Sequence, residues 1–389
     1  MRAPLPSSRP STVPLGLLAA VDPVLRESTL TGLVLDSPGT VAVRHDLLPD
    51  QGALRRVVLD STGVIEDETV PLEHACLSCS VREDAVPTLA RLAADGRWTS
   101  LVLALPTTAE PLPVARALAA FSEPGGELDL LHLSSTLAAV DLDTLEHDLL
   151  GDDLVGDRDL AMTDDDERAV GEALAAQLEQ VDLVVTTGAD PTGSGLLDGL
   201  RARESRRVDG LFELTTAHVM TARHDPAAAE RRAHPLGAHG TRAPSSETGR
   251  EVQDATGDRS WTLVLESPLP FHPERLLANV ERLSPERLRS RGVFHVPDRP
   301  DSVCLWDGAG GQLCVADLGT WDEAAAGTTP VTRIVVLGAG DPDEARARRQ
   351  RLVEAFYESL ATPEECADGG LRWLGSTDVL APWLGARAA

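Results

Sequence analysis

Residues 101–139 read LVLALPTTAEPLPVARALAAFSEPGGELDLLHLSSTLAA. The apolar runs Leu101–Leu105 and Leu130–Ala139 have the length of buried strands, and the helical pattern Glu110–Ala120 lies between them. Two neighbouring strands that run in the same direction need a long crossover connection, which is usually a helix. This stretch therefore predicts a strand–helix–strand unit of a parallel α/β sheet.

The same alternation extends on both sides of this unit, over roughly residues 12–215. Helical patterns cover Asp84–Ala94 and Thr163–Gln180. We place Asp164, Asp165 and Asp166 at the start of the second helix, where carboxylates favour the positive end of the helix dipole. A doubly wound α/β domain is expected. The remaining strand-like runs are Val13–Leu18, Gly32–Leu35, Thr40–Arg44, Arg56–Leu59 and Val181–Thr186.

Three further regions are expected outside this domain. Residues 1–11 are polar, rich in Pro and Ser and without the apolar core of a secretory signal, which indicates a disordered lead. Residues 216–258 have no apolar period and predict an exposed linker or insertion, with histidines at His218, His224, His234 and His239. Residues 259–389 predict a smaller α+β domain with an antiparallel sheet, because a turn at Gly308–Gly311 joins successive strands. Its expected elements are strands Trp261–Glu266, Gly292–Val296, Ser302–Asp307, Gln312–Ala316 and Val331–Leu337, and helices Pro273–Leu283 and Pro342–Ser359.

The composition excludes several classes of protein. Hydrophobic residues make up 42% of the 389 residues, which disfavours a disordered chain. A membrane span is not expected, since no apolar run reaches about 18 residues. The net charge of −27 disfavours binding to naked nucleic acid. Five cysteines in so long a chain do not form a disulfide framework, so the cytoplasm is the expected compartment.

Glu73–Asp84, with the sequence EHACLSCSVRED, is the motif that carries chemistry. Cys76 and Cys79 are separated by two residues, a spacing that lets two thiolates chelate one zinc ion. Glu73 and His74 are the candidates for the remaining ligands. We expect a helix to begin after Cys79 and to lower the pKa of the thiol. Two alternatives stay open, an incidental pair of buried cysteines and a thioredoxin-like redox pair.

This motif resembles the Cys-x-Cys-Cys switch segment of the CobW family of GTP-binding metallochaperones, which runs on into Val-Arg. Two other stretches agree in order and spacing. Ala104–Val114 resembles the family's Glu-Pro-Ser-Gly-x-Ala-Glu-Pro segment, and Trp261–Leu263 followed by Pro270–Leu276 resembles the start of its C-terminal domain. The resemblance implies a sheet derived from P-loop GTPases, a CobW C-terminal-like domain, and zinc as the metal.

The nucleotide-binding elements of that family are altered in this chain. Gly16–Pro23 stands where the family has Gly-x-x-x-x-Gly-Lys-Thr, and it lacks the second glycine and the lysine; all 35 basic residues of the chain are arginine. Ala104 replaces the carboxylate that holds the magnesium shell, and Ser78 replaces the middle cysteine. Of the guanine-reading Asn-Lys-x-Asp loop only Asp190 is in place, as a vestigial cofactor-binding position. GTP hydrolysis is therefore not expected, and no catalytic residue is assigned.

One branch of the family matches these departures. The segment Ser37–Leu47 and the Cys-x-Ser-Cys motif resemble actinobacterial CobW-like proteins that recruit a ribosome hibernation factor when zinc is scarce. This resemblance implies a zinc-responsive protein whose partner is the hibernation factor or the ribosome. The alternative is a GTP-dependent zinc metallochaperone that serves a zinc client protein, and the second alternative is a structural or redox CxxC protein.

Overall fold

The first sheet is built largely from the short apolar runs between residues 12 and 215. The computed structural model describes residues 12–74, 76–237, 251–252, 259–325, 327–367, 373 and 377–386. The strands of this sheet are β1 Val13–Ala19, β2 Thr40–Leu48, β3 Ala53–Asp60, β4 Gly63–Pro71, β5 Ser100–Ala104, β6 Leu131–Asp141, β7 Leu183–Thr187 and β8 Arg206–Asp209. Their order is β4-β3-β2-β5-β1-β6-β7-β8. The β2–β3 and β3–β4 pairs are antiparallel, and the other pairs are parallel.

Helices cover both faces of this sheet. They are α1 Pro23–Asp36, α2 Leu77–Ser80, α3 Val86–Asp95, α4 Pro111–Phe121, α5 Leu142–Leu150, α6 Val170–Gln180, α7 Pro191–Leu200, α8 Thr216–Met220 and α9 Pro226–Ala233, with a π-helical turn at Val81–Ala85 between α2 and α3. Leu15 and Leu17 of β1 are buried in a cluster with α3 and α4, whereas Leu18 points to the other face and packs with α1. The predicted doubly wound α/β domain is confirmed.

Two strand assignments of the sequence analysis need correction. Gly32–Leu35 is not a strand but the end of α1, because Leu30 and Leu33 form the buried side of that helix. β4, which the sequence analysis missed, is an edge strand with mostly exposed residues. Its charged side chains hide the apolar alternation on which strand prediction depends.

The helix expected over Thr163–Gln180 begins only at Val170. Asp164, Asp165 and Asp166 therefore do not start it. The carboxylate of Asp166 instead forms an ion pair of 2.8 Å with Arg168. This pair lies in the loop that precedes α6.

The second sheet is antiparallel, as the turn at Gly308–Gly311 predicted. Its strands are β9 Glu251–Val252, β10 Ser260–Ser267, β11 Arg289–Val296, β12 Arg299–Ala309, β13 Gln312–Thr320 and β14 Thr332–Ala339, in the order β13-β12-β11-β14-β10-β9. The helices of this domain are α10 Pro273–Leu283, α11 Trp321–Ala324, α12 Pro342–Ser359, α13 Pro363–Cys366 and α14 Ala381–Leu384. Phe271 and Phe356 stack edge to face in its core with ring centroids 5.4 Å apart. The smaller α+β domain is confirmed, and α10 and α12 have the predicted bounds. Among the described residues, no helix is both long enough and apolar enough to cross a membrane.

The two domains meet through buried charges. Arg289 of β11 is 3% exposed, and its guanidinium lies 2.8 Å from the Glu179 carboxylate of α6. Arg291 also pairs with Glu179, and Arg289 pairs with Asp307 of β12. These ion pairs fix the second domain against the end of α6.

Residues 216–237, which we expected to be exposed and irregular, are folded against the first domain as α8 and α9. Asp182 explains the position of α9. Its carboxylate accepts a 2.7 Å hydrogen bond from His224 and pairs with the buried Arg232 of α9. Burial by itself raises the pKa of Asp182, but the hydrogen bond with His224 and the charges of His224 and Arg232 lower it to about 2. Residues 238–250 and 253–258, with His239, and the lead at residues 1–11 lie outside the described residues.

Candidate metal centre

Cys76 and Cys79 lie where the edge strand β4 is followed by α2. Cys76 is the N-cap residue of α2, and its Sγ accepts a 3.5 Å hydrogen bond from the backbone N–H of Cys79. Cys79 is 7% exposed, whereas Cys76 is half-buried. The structure therefore brings the two predicted sulfur ligands together.

The thiol of Cys79 is not acidified by a helix start. α2 begins at Leu77, before Cys79 rather than after it. The hydrogen bond with Cys76 and burial both raise the pKa of the Cys79 thiol. The predicted lowering of this pKa is therefore wrong for the metal-free protein, and a metal ion must displace the thiol proton in order to bind.

Charged side chains surround the thiol of Cys79. Arg82 Nη2 lies 3.9 Å from Cys79 Sγ and 3.0 Å from Glu83 Oε1. The same nitrogen lies 3.8 Å from Glu73 Oε2. Glu83 Oε2 accepts a 3.1 Å hydrogen bond from the backbone N–H of Glu73. This bond, together with the one from Arg82, lowers the pKa of the Glu83 carboxyl, so that Glu83 is a carboxylate at neutral pH.

Three of the four predicted ligands, Glu73, Cys76 and Cys79, lie near one another beside Arg82. Glu73 and Cys79 contact the same nitrogen of Arg82, and Cys76 contacts Cys79. His74 is an exposed residue, and no contact of its side chain supports the predicted role. In the described part of the chain, which omits Ala75, no three Cys, His, Asp or Glu side chains lie close enough together to hold a metal ion.

Sequence analysis did not assign a role to Arg82 or to Glu83. Both follow Cys79 in a helical stretch, at spacings of three and four residues. Side chains at these spacings lie on the same side of a helix. This spacing is the signal that identifies the two charged neighbours from the sequence.

A buried ion cluster fixes the turn that follows Cys79 to the sheet. Asp84 of the π-helical turn lies 2.9 Å from His45 Nε2 of β2, and both side chains are buried. The other oxygen of Asp84 accepts a hydrogen bond from Arg56 of β3. Burial by itself raises the pKa of Asp84, but the interactions with His45 and Arg56 lower it overall. The segment that carries Cys76 and Cys79 is thereby tied to two adjacent strands.

The connection between β1 and α1 corresponds to the altered P-loop stretch Gly16–Pro23. Its first four residues belong to β1, so only Ala20–Asp22 connect the strand to the helix. Asp22 Oδ1 accepts hydrogen bonds from the backbone N–H groups of Val24, at 2.7 Å, and Leu25, at 3.0 Å. A carboxylate thus occupies the helix N-terminus, the place where α/β proteins bind phosphate.

Arg26 lies one turn further along α1 and is 4% exposed. Its Nη1 donates hydrogen bonds to the carbonyl oxygens of Leu105, at 2.7 Å, and His45, at 3.2 Å. Its Nη2 pairs with the carboxylate of Asp46. Arg26 therefore connects α1 to β2 and to the end of β5, and its guanidinium is turned into the protein.

Asp190, the vestigial guanine-loop position, is the N-cap residue of α7. Its carboxylate accepts a 2.8 Å hydrogen bond from the backbone N–H of Gly193. Its own backbone N–H donates to Asp143 at 2.9 Å. These contacts give Asp190 a structural role as a helix cap.

The described histidines of residues 216–237 are each bonded within the first domain or their own segment. His218 Nδ1 accepts a 3.1 Å hydrogen bond from the backbone N–H of Thr215. His224 bonds to Asp182, and His234 Nδ1 accepts a 3.1 Å hydrogen bond from the backbone N–H of Leu236. None of these contacts brings a histidine of this segment to Cys76 or Cys79.

Comparison with known proteins identifies relatives of both domains. Residues 260–355 match the family model described as the cobalamin synthesis protein cobW C-terminal domain. A zinc chaperone of Mycobacterium tuberculosis is 29% identical over 310 residues, which cover 76% of this chain and 72% of that protein. The zinc chaperone CobW of a Sinorhizobium species is 24% identical over 364 residues, which cover 87% of this chain and 95% of that protein.

One solved structure is also similar to this chain. A zinc-bound YjiA GTPase from E. coli is 14% identical, with a TM-score of 0.32, and the match covers 90% of this chain and 99% of that protein.

Proposed function

We propose that this chain is a CobW-type zinc protein that holds zinc at Cys76 and Cys79 and serves a client protein in the cytoplasm. The observation that carries the proposal is the 3.5 Å hydrogen bond from the backbone N–H of Cys79 to Cys76 Sγ, which holds the two cysteines together beside the carboxylates of Glu73 and Glu83. Thiolate sulfur and carboxylate oxygen are both ligands of zinc in proteins. The match of residues 260–355 and the zinc chaperone names of the relatives support the same assignment.

We further propose that zinc delivery by this chain is not driven by GTP hydrolysis. Asp22 places a negative charge at the N-terminus of α1, where a nucleotide phosphate has to bind. Arg26 is turned inward and does not replace the missing lysine. These contacts favour a binding protein over the GTP-dependent metallochaperone that is the alternative.

The finer proposal is that the client is a ribosome hibernation factor, recruited when zinc is limiting. Its support is the resemblance of Ser37–Leu47 and of the Cys-x-Ser-Cys motif to proteins with that role. A pull-down with the tagged chain, from zinc-depleted and from zinc-replete cells, tests it. Enrichment of the factor only under zinc depletion is expected, and equal recovery from both cultures contradicts the proposal.

Metal analysis of the purified chain tests the zinc site itself. We expect stoichiometric zinc in the wild-type chain and none in the double variant Cys76→Ser/Cys79→Ser. Cys314→Ser is the matched control, because Cys314 is exposed on β13 in the other domain and keeps both candidate ligands. Zinc retained by the double variant shows that the CxxC is not the site. A wild-type chain without zinc leaves the structural or redox alternative.

A further inference from the structure

We propose that Arg82 is a resident cation that zinc displaces, and that Glu83 then becomes a zinc ligand beside Cys76 and Cys79. This inference rests on the zinc site proposed above and specifies its third protein ligand and the group that competes with the metal.

The contacts of one atom carry the argument. Arg82 Nη2 lies 3.0 Å from Glu83 Oε1, 3.8 Å from Glu73 Oε2 and 3.9 Å from Cys79 Sγ. These neighbours are two carboxylates and one sulfur, which is the chemistry of a zinc donor set. The guanidinium thus lies beside three groups that could bind a zinc ion.

A zinc ion bound by these groups and Arg82 Nη2 cannot be present at the same place. Zinc holds its ligands at about 2.0–2.3 Å, so the donor atoms have to close on the place that the nitrogen fills. In the described residues no three of these donors are close enough to hold a metal. The arginine nitrogen therefore has to leave before the donors close on a metal ion.

The two sides of the site differ in their freedom to move. The Arg82 side chain is 60% exposed, so it has an open path into solvent when zinc arrives. Cys79 is 7% exposed, and the turn that follows it is fixed by the buried pair of Asp84 and His45. Cys79 therefore keeps its place while the Arg82 side chain leaves and the Glu83 carboxylate closes on the metal.

Arg82 must lower the affinity for zinc, since its contacts with the donors are lost when the metal binds. Exposed ion pairs are weak, so the loss of these contacts should change the zinc binding constant by about fivefold. In a protein that passes zinc to a client, such a competitor favours release of the metal, because Arg82 returns to the donors as the metal leaves.

Arg91 provides a matched control for Arg82. It lies on α3, and its side chain is 53% exposed. It pairs with Glu66 of β4 at 2.9 Å and not with Cys79 or Glu83. Replacing it by glutamine removes the same charge from the same region.

Competition with a chromophoric chelator measures the zinc affinity of the full chain and of its variants at neutral pH and low salt. Arg82→Gln is expected to bind zinc about fivefold more tightly than wild type, because no competing cation has to leave. Glu83→Gln is expected to bind at least about tenfold more weakly, because a ligand is lost. Arg91→Gln is expected to match wild type. High salt should reduce the gain of Arg82→Gln, since screening weakens the competing ion pairs.

The opposite signs of the two changes separate this inference from a structural role of the Arg82–Glu83 pair. If both Arg82→Gln and Glu83→Gln weaken zinc binding, the pair only supports the fold of the segment and the inference is wrong. Unchanged affinity in Arg82→Gln overturns it as well. A wild-type chain that binds no zinc overturns the proposed function too, so the two failures are distinguishable. Circular dichroism confirms that each variant is folded.

Discussion

Asp84 and His45 are 39 residues apart in the chain, yet their buried side chains share a 2.9 Å hydrogen bond. Asp84 lies in the π-helical turn that follows Cys79, and His45 lies in β2. The bond therefore joins the segment that follows Cys76 and Cys79 to the sheet at a place where the helix has an irregular turn. Such π-helical turns are frequent at functional sites. The base of the proposed zinc site is fixed, while Arg82 at its rim is exposed.

Replacing Asp84 by alanine tests this anchor. The change leaves the buried His45 without its carboxylate and removes the buried one of the carboxylates that pair with Arg56, and breaking a buried ion pair costs about 3–5 kcal/mol. We expect the free energy of unfolding in urea to fall by that order. Asp67→Ala is the control, since the Asp67–Arg55 pair is exposed and an exposed pair adds little to stability. Equal losses in the two variants would show that the buried cluster is not an anchor.

The sequence predicts the architecture well because the spacing of apolar residues follows which side of each strand or helix is buried. The runs at Leu101–Leu105 and Leu130–Ala139 became β5 and β6, and Pro273–Leu283 is a helix with the predicted bounds. Exposed or charged elements were missed, as in β4, because periodicity records burial and β4 has little.

The candidate site was predicted only in part. The CxxC spacing identified Cys76 and Cys79, which are in contact. The partners of a local motif that come from distant strands, such as His45 and Arg56, have no signature in the sequence. The residues expected at 216–237 as an irregular tract are helical because Asp182, far earlier in the chain, holds Arg232 and His224.

Isothermal titration with GTP tests the nucleotide assignment. We expect no saturable binding at micromolar concentrations, since Asp22 repels phosphate and the chain has no lysine. Asp22→Ala removes the repulsion but restores neither a lysine nor a phosphate-binding loop, so it too should show no saturable isotherm. This variant should also lose about 1 kcal/mol of stability with the helix cap. Saturable binding to wild type would show that an arginine has taken over the role of the lysine.

The buried imidazole of His295 is expected to make the folded protein less stable in acid. Burial lowers the pKa of this imidazole from 6.5 to about 4, and its ring lies against Trp321. The unfolded chain therefore binds more protons than the folded chain between these two values, and the free energy of unfolding falls as the pH decreases from 6.5 towards 4. The full loss is about 3 kcal/mol.

Urea unfolding of wild type and His295→Gln over this pH range measures the effect. The stability of wild type relative to the variant should fall by about 3 kcal/mol between neutral pH and about pH 4, because glutamine does not titrate. The exposed His147 provides the control, and His147→Gln should follow wild type. A constant difference between wild type and His295→Gln would show that the pKa of this imidazole is the same in the folded and the unfolded chain.

Zinc binding is expected to release protons from the cysteine thiols. Burial and the bond with Cys76 raise the pKa of the Cys79 thiol, so this thiol is protonated at neutral pH and has to lose its proton to zinc. With two thiols as ligands, the binding constant should rise by about a factor of 100 for each unit of pH as long as both ligands have to lose a proton to zinc. Calorimetry in buffers of different ionisation enthalpy should show about two protons released for each zinc bound. Cys314→Ser should release the same number, because Cys314 lies on the exposed strand β13 of the other domain. Zinc binding that releases no proton would mean that neither Cys76 nor Cys79 is a thiolate ligand.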